Sequence, residues 1–208
     1  MIILSVILSY LAGSIPFAYI IVRLMKGTDI RNVGSGNIGF TNATRVLGIG
    51  RGIIVLLADM GKGAIAVLVI SRLGMIPENP YLIYMPVICG LAAIIGHIWT
   101  VFMKFHGGKG VATSLGVFIA ISPIAGLIAL AVWIIIVAIT RYVSIGSILM
   151  CITFCVVTFV ISIPITYGVK IWTVRVMAIV VTLIITYKHK KNIELIIKGK
   201  ERKFGKRE

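Results

Sequence analysis

The chain has 208 residues, 59% of them hydrophobic, and 21 Lys and Arg stand against 6 Asp and Glu. A mean hydropathy of +1.09 excludes an ordinary water-soluble globule, because so much apolar surface needs lipid around it. The net charge of +15 does not indicate nucleic acid either, since the cations are confined to loops and to a basic tail from Lys188 onward. That is the positive-inside pattern of membrane helices, and a basic tail can also rest on anionic lipid.

Crossing the hydrocarbon takes about 20 apolar residues. The charge-free runs Met1 to Val22, Asn79 to Met103, Val111 to Thr140 and Tyr142 to Val169 all meet that length. No Lys or Arg precedes the opening run and the first cation, Arg23, lies on its far side, so the run reads as a retained helix and not a cleaved signal. Arg23, Lys26, Arg31, Arg45 and Arg51 predict a cytoplasmic first loop and an N-terminus outside. Residues Gly52 to Leu73 return outward to a turn at Pro77 to Pro80, and the run to Met103 comes back in, leaving Lys104 to Lys109 inside. Val111 to Thr140 is long for one span and short for two, and Ser122-Pro123 interrupts it. A hairpin of two short helices there keeps Arg141 and Ser144 on the same face as the other polar segments. Ile145 to Ile163 then leads out and Ile171 to Tyr187 leads in. The expected fold is an all-α membrane bundle of seven transmembrane helices, with five as the alternative count and the C-terminus in the cytoplasm. Cys89, Cys151 and Cys155 lie in apolar runs without metal-site or disulfide spacing, so neither a metal nor a cofactor is expected.

The candidate functional residues form three segments and two smaller clusters. The first runs from Val33 to Arg45 and contains Gly34, Ser35, Gly36, Asn37, Gly39, Thr41 and Asn42. Gly34-x-Gly36-x-x-Gly39 matches a dinucleotide fingerprint formally, but no strand precedes it and Asp59 lies in an apolar helical run. Either the glycines turn backbone N–H groups toward an anion, with hydroxyls and Arg45 as further donors, or the segment is a plain interfacial turn. In the second segment Asp59 and Lys62 are one helical turn apart, as a helix-fixing ion pair or as groups facing a wet cavity. The third holds His97, Lys104 and Gly107-Gly108-Lys109-Gly110. It is not a Walker A loop, because Gly110 follows Lys109 where Ser or Thr is required. A Gly-Gly-Lys-Gly turn opening a helix still offers free N–H groups, a positive dipole end and an ammonium; the plainer reading is a positive-inside anchor. Arg141 to Ser144 and Lys188 to Asn192 complete the set, with His189 and Asn192 on one helix face as ligands or as ordinary interfacial residues.

Taken together, Gly34 to Asn42, Asp59 to Gly63, Gly107 to Thr113, Thr140 to Ser147 and His189 to Asn192 resemble the bacterial acyl-phosphate:glycerol-3-phosphate acyltransferases over nearly the whole chain. Phe40 stands where that family usually has alanine, Thr100 where a proline is common and Glu194 where a basic residue is frequent. The resemblance implies a single integral membrane acyltransferase domain over 1–208, in the bacterial cytoplasmic (inner) membrane, with a site facing the cytoplasm. It implies transfer of a fatty acyl group from acyl phosphate to glycerol 3-phosphate, giving lysophosphatidic acid and phosphate, an early step of phospholipid synthesis. Arg45, Lys109, Ser144, His189 and Asn192 are then the expected glycerol-3-phosphate ligands. Ser35, Gly36, Asn37 and the amides around Gly107 and Gly108 are the expected acyl-phosphate ligands, with Gly34, Thr41, Asn42, His97 and Gly110 beside them and Glu201 positioning the tail. Ser35, Lys109 and His189 carry the chemistry, the proton going to His189 or to a substrate phosphate. The residues suit this chemistry independently: two phosphates need two neighbouring anion sites, and the acyl tail needs lipid access. The His-x-x-x-x-Asp pair of soluble-type acyltransferases is missing, as the fifth residues after His97, His106 and His189 are Phe102, Val111 and Glu194. A carrier for phosphate or an organic phosphate is the alternative, but carriers place sites between repeated broken helices and no repeat is evident. A membrane scaffold would explain the tail and leave the glycine loops without a purpose.

Overall fold

A computed structural model describes residues 1–73, 83–161 and 164–205, and its regular structure there is entirely helical. In chain order the helices are α1 (Ile2–Ser14), α2 (Phe17–Lys26), α3 (Phe40–Leu47) and α4 (Ile49–Ile65), which continues through a π-helical turn (Ala66–Ile70) into α5 (Ser71–Leu73). They are followed by α6 (Met85–Ile98), α7 (Val111–Ile121), α8 (Pro123–Thr140), α9 (Val143–Val160), α10 (Ile171–Lys188) and α11 (Lys190–Ile197). The expected turn at Pro77 to Pro80 lies outside the described residues, as does Ile163.

Among the described residues, six segments are long and apolar enough to cross a membrane: Ile2–Lys26, Ile49–Leu73, Met85–Met103, Pro123–Thr140, Val143–Val160 and Ile171–Lys188. The helix α7 has 11 residues. At 1.5 Å per residue it is about 16 Å long, about half the hydrocarbon thickness. Of the two short helices expected for the Val111 to Thr140 hairpin, α7 is short and α8, with 18 residues, is of spanning length.

The first span is also not the continuous helix expected for Met1 to Val22. Pro16 has no N–H and forces the residue before it out of helical geometry, so Ile15 is extended at φ −58°, ψ 116°. The carbonyls freed by this break find partners far away in sequence: Lys62 Nζ donates to Ile15 O at 3.0 Å and Thr100 Oγ1 to Ser14 O at 2.6 Å. Inside lipid such compensation decides whether a broken helix is tolerated.

The run from Val111 to Thr140 divides at Ser122, with Pro123 opening α8. The two helices fold back on each other, and Gly126 packs directly on the Ile119 backbone. Their turn lies beside the α9–α10 connection, where Thr166 Oγ1 donates to Ala120 O at 2.8 Å. Residues Thr113 to Phe118 of α7 are all buried, which makes α7 the internal post of the bundle. It presses on α4 through two glycines: a Cβ on Gly63 would fall 2.3 Å from Thr113 O, and one on Gly116 2.0 Å from Met60 O. Such small-residue contact is how helices associate in lipid, where burial of apolar surface gives no net drive. On its other side the Phe118 ring stacks on Phe154 of α9 at 3.8 Å. The start of α7 thus opens at one end of the bundle, together with the end of α8, the start of α9 and the end of α10.

Candidate active site

The first loop joins α2 to α3. Gly34 and Gly36 take φ of +61° and +69°, which residues with a Cβ adopt only under strain. Asn42 shapes the loop: its Oδ1 accepts the Ser35 N–H at 2.9 Å, and its Nδ2 donates to Ile30 O at 3.2 Å and Val33 O at 3.0 Å. The Gly36 N–H closes on Val33 O at 3.1 Å. The Ser35 and Gly36 amides are therefore used within the loop and are not turned toward an anion, contrary to the sequence expectation. Asn42 is fully buried and holds the loop from within, so it is corrected from ligand to scaffold. Gly34 makes room for it, since a Cβ there would fall 2.2 Å from Asn42 Oδ1. Donors do remain where α3 starts. The first bond of that helix joins the Ala43 N–H to Gly39 O, leaving the Phe40 and Thr41 N–H groups without helical acceptors.

The second loop is corrected in the same way. The Gly107 N–H donates to Ile98 O and the Gly108 N–H to His97 O, both at 3.1 Å, so these amides cap the end of α6 and are not available to a phosphate. Their glycine identity has a packing cause, because a Cβ on Gly107 would fall 2.1 Å from His97 O and one on Gly108 2.2 Å from His97 Nε2. Lys109 projects from the loop and its Nζ bonds Asn192 Oδ1. Gly110 at φ +88° opens α7, whose first bond is Ser114 N–H to Gly110 O, so the preceding N–H groups of that helix face out of its positive end.

The third element is the corner formed by α9, α10 and the residues after α11. Ser144 Oγ donates to Glu201 Oε1 at 3.1 Å and Asn192 Nδ2 donates to the same oxygen at 2.7 Å. His189 Nδ1 lies 2.8 Å from Ile185 O. A carbonyl only accepts, so Nδ1 carries the hydrogen and Nε2 keeps a lone pair. Burial and the neighbouring Lys109 ammonium push the His189 pKa down to about 4. Burial likewise pushes Lys109 down to about 8, against the pull of Glu201 and with a smaller push from Arg45 and Lys188.

These elements enclose a cavity of about 860 Å³. Ser35, Gly36, Asn37, Thr41, Arg45, His97, Gly107, Lys109, Gly110, Ser144, His189, Asn192 and Glu201 all line it. Gly34, Asn42 and Gly108 stand behind its wall. Arg45, Lys109, Lys188, Lys190, Lys191 and Arg202 line it against two carboxylates, Asp59 and Glu201. Of those two, Asp59 is already paired with Lys62 at 2.8 Å. The pair is buried and spaced as a helix-fixing ion pair, and Asp59 at the same time lines the cavity. The other wall is apolar, built from Leu56, Leu57 and Met60 of α4, Leu115 of α7, Leu130 and Trp133 of α8 and Met150 of α9. Leu57 is exposed on the span, which opens that wall sideways. Phe40 stands between the two walls, its ring 6.4 Å from Trp133 and 6.1 Å from Phe204. Sequence reasoning missed Trp133, the apolar wall and Phe204, because one aromatic or leucine in an apolar run carries no local mark of the face it presents.

The cavity thus joins a cationic end to an apolar wall. A family profile described as glycerol-3-phosphate acyltransferase matches residues 3–199. A glycerol-3-phosphate acyltransferase of Desulforudis audaxviator (strain MP104C) is 43% identical over 206 residues, covering 98% of this chain and 96% of the relative. The glycerol-3-phosphate acyltransferase 2 of Bacillus anthracis is 41% identical, covering 97% and 98%. Among solved structures, PlsY (YgiH), an integral membrane glycerol 3-phosphate acyltransferase, matches in its glycerol 3-phosphate form with a TM-score of 0.86 at 41% identity, covering 98% and 96%. Its lysophosphatidic acid form matches with a TM-score of 0.84 at 39% identity, covering 98% and 95%. With the match running from end to end in both sequence and fold, the chain belongs to the glycerol-3-phosphate acyltransferase family of integral membrane proteins.

Proposed function

We propose that the chain transfers a fatty acyl group from acyl phosphate to glycerol 3-phosphate, releasing lysophosphatidic acid and inorganic phosphate at the cytoplasmic face of the bacterial inner membrane. The observation that carries this is the single cavity with a cationic, donor-rich end and a laterally open apolar wall. Seven crossings, with α7 as the short fourth one, put the N-terminus outside and the basic tail inside. In support, the Ser122 turn lies beside the α9–α10 connection while Gly110 and Ser144 both line the cavity.

Acyl phosphate is already activated, so the protein has to orient the two substrates and stabilise charge. Arg45, Lys109, Ser144 and Asn192 hold the glycerol 3-phosphate phosphate, and the starts of α3 and α7 with Ser35, Asn37 and Thr41 hold the acyl phosphate. The acceptor hydroxyl oxygen attacks the acyl carbonyl carbon, the developing oxyanion takes donors from the helix start, and the carbon–oxygen bond to phosphate breaks as the ester forms. The hydroxyl proton leaves with phosphate, directly or after resting on His189 Nε2, which is neutral and unprotonated at working pH. Purified protein in detergent, given glycerol 3-phosphate and either acyl phosphate or acyl-CoA, is expected to make lysophosphatidic acid and phosphate from the first donor. Turnover with acyl-CoA alone would refute the donor, and none with either would refute the enzyme and favour a carrier.

A further inference from the structure

One buried ionic cluster has no part in the chemistry above. Asp59 is 1% exposed, Lys62 4% and His97 7%. Lys62 Nζ lies between Asp59 Oδ1 at 2.8 Å and Ile15 O at 3.0 Å, and His97 Nδ1 lies 3.6 Å from the same Asp59 oxygen. Two charges in the middle of a membrane protein are costly. Lys62 satisfies the Ile15 carbonyl freed at the α1–α2 break, and Asp59 links that pair to the His97 ring.

We infer that Asp59 and Lys62 are positioning residues for Lys109, acting through His97 on the Gly107–Gly108 loop. The proposal rests on the acyl-transfer reading for its consequence, but not for its geometry. His97 supports the loop twice. Its carbonyl accepts the Gly108 N–H at 3.1 Å, and its Nε2 edge occupies the place where a Gly108 Cβ would otherwise be, 2.2 Å away. On its other side the ring faces Asp59, whose Oδ1 lies 3.6 Å from Nδ1 and is paired with Lys62. The space left between Asp59, Lys62, His97, Thr100, Gly107 and Gly108 is about 10 Å³, room for about one water, so the coupling runs through the direct contact of His97 with Gly108. Movement of the ring therefore moves Gly108, and with it Lys109 one residue on. Lys109 faces charged or titratable groups from every neighbouring element: Arg45 from α3, Lys188 and His189 at the end of α10, and Glu201 after α11. Its protonation consequently reports where it stands among them.

The test reads Lys109 directly. Folded protein in detergent is acetylated with acetic anhydride over a range of pH, and modification of Lys109 is followed by mass spectrometry against the tail residue Lys200 as internal control. Unaltered protein is expected to give a Lys109 midpoint near 8. The double variant D59N/K62M removes both charges, and because it also takes the donor from Ile15 O, H97Q is measured beside it. The double variant is expected to raise the Lys109 midpoint by about one pH unit, toward the ordinary lysine value, as the loop moves into water. Lys200 should not shift, and turnover should fall about 10- to 100-fold. H97Q cuts the link without altering the ion pair, should move Lys109 alike, and decides the matter where the double variant does not fold. An unchanged Lys109 midpoint in either folded variant overturns the inference, even if thermal stability drops, because a merely structural pair would lower stability and leave Lys109 where it was. Absence of acyl transfer in the unaltered protein would refute the proposed function and leave the labelling result standing.

Discussion

In the proposed reaction Lys109 is a ligand of the glycerol 3-phosphate phosphate, so its removal should separate catalysis from folding. Its Nζ reaches Asn192 across the cavity mouth. Lys109→Ala is expected to lower turnover roughly 10²- to 10³-fold, the usual loss for a preorganised donor, with an unchanged melting temperature. Lys109→Arg keeps the charge but cannot place it on the same spot, so it should recover only part of the loss. Lysine is cationic below its pKa. With Lys109 near 8 in the free protein, kcat/KM for glycerol 3-phosphate should therefore hold at pH 7 and fall as pH rises through about 8. A bound phosphate dianion stabilises the ammonium, so the fall in kcat should come at higher pH. Burial keeps His189 neutral down to about pH 4, and the acid side of the profile should therefore show no inflection at the ordinary histidine value. An inflection there that disappears in His189→Asn would contradict the assignment of His189 as neutral in the resting protein.

The element that completes the site is the segment after α11, which returns across the cavity mouth. Phe204 donates its N–H to Arg141 O at 2.7 Å, and its ring meets Phe40. Behind it Glu201 joins Ser144 to Asn192, bringing together two expected phosphate ligands from different helices. Phe204→Ala removes an aromatic pair of about 0.5–1.5 kcal/mol. Limited trypsin digestion in detergent should then cut the tail several times faster while α1 to α10 stay intact, and the KM for glycerol 3-phosphate should rise more than kcat falls. Equal digestion rates would show that the ring contact does not hold the segment. Little of this closure could be read from the chain. The spans were legible because lipid enforces long charge-free runs, and Pro123 marked the α7–α8 turn, since proline acts on its own neighbours. The glycine loops were legible as special but not in their purpose. Whether the Gly108 amide is free or donates to His97 O depends on where α6 ends in space, and local sequence does not contain that. Asn42 was read as a ligand for the same reason: a polar residue beside Ser35 and Arg45 shows its chemistry in the sequence and its direction only in the fold. The break at Ile15 depends on Lys62 and Thr100, residues of other helices, and a charge-free run gives no sign of them.

At the scale of the whole molecule, the apolar wall opens where Leu57 is exposed on a span, so in the proposed reaction the acyl chain enters the cavity from lipid and not from water. This changes how chain length should matter. Moving one methylene from water to an apolar wall is worth about 0.8 kcal/mol, or about fourfold in kcat/KM. Moving it from bilayer to protein exchanges one apolar surroundings for another and yields far less. With protein reconstituted in vesicles and a series of saturated acyl phosphates at equal mole fraction in the bilayer, kcat/KM should vary less than twofold per added methylene. Discrimination should instead come from shape. Leu115 lies on the internal post α7, held by glycine contacts to α4 and by the Phe118–Phe154 stack, so it cannot retreat from a longer chain. Leu115→Trp should lower kcat/KM for long donors more than for short ones and leave the KM for glycerol 3-phosphate unchanged, because the cationic end is built by other elements. A uniform fall across the series would mean that the chain does not run along α7. A steady fourfold gain per methylene in the unaltered protein would mean that the donor enters from water, and the lateral opening at Leu57 would then have no part in its route.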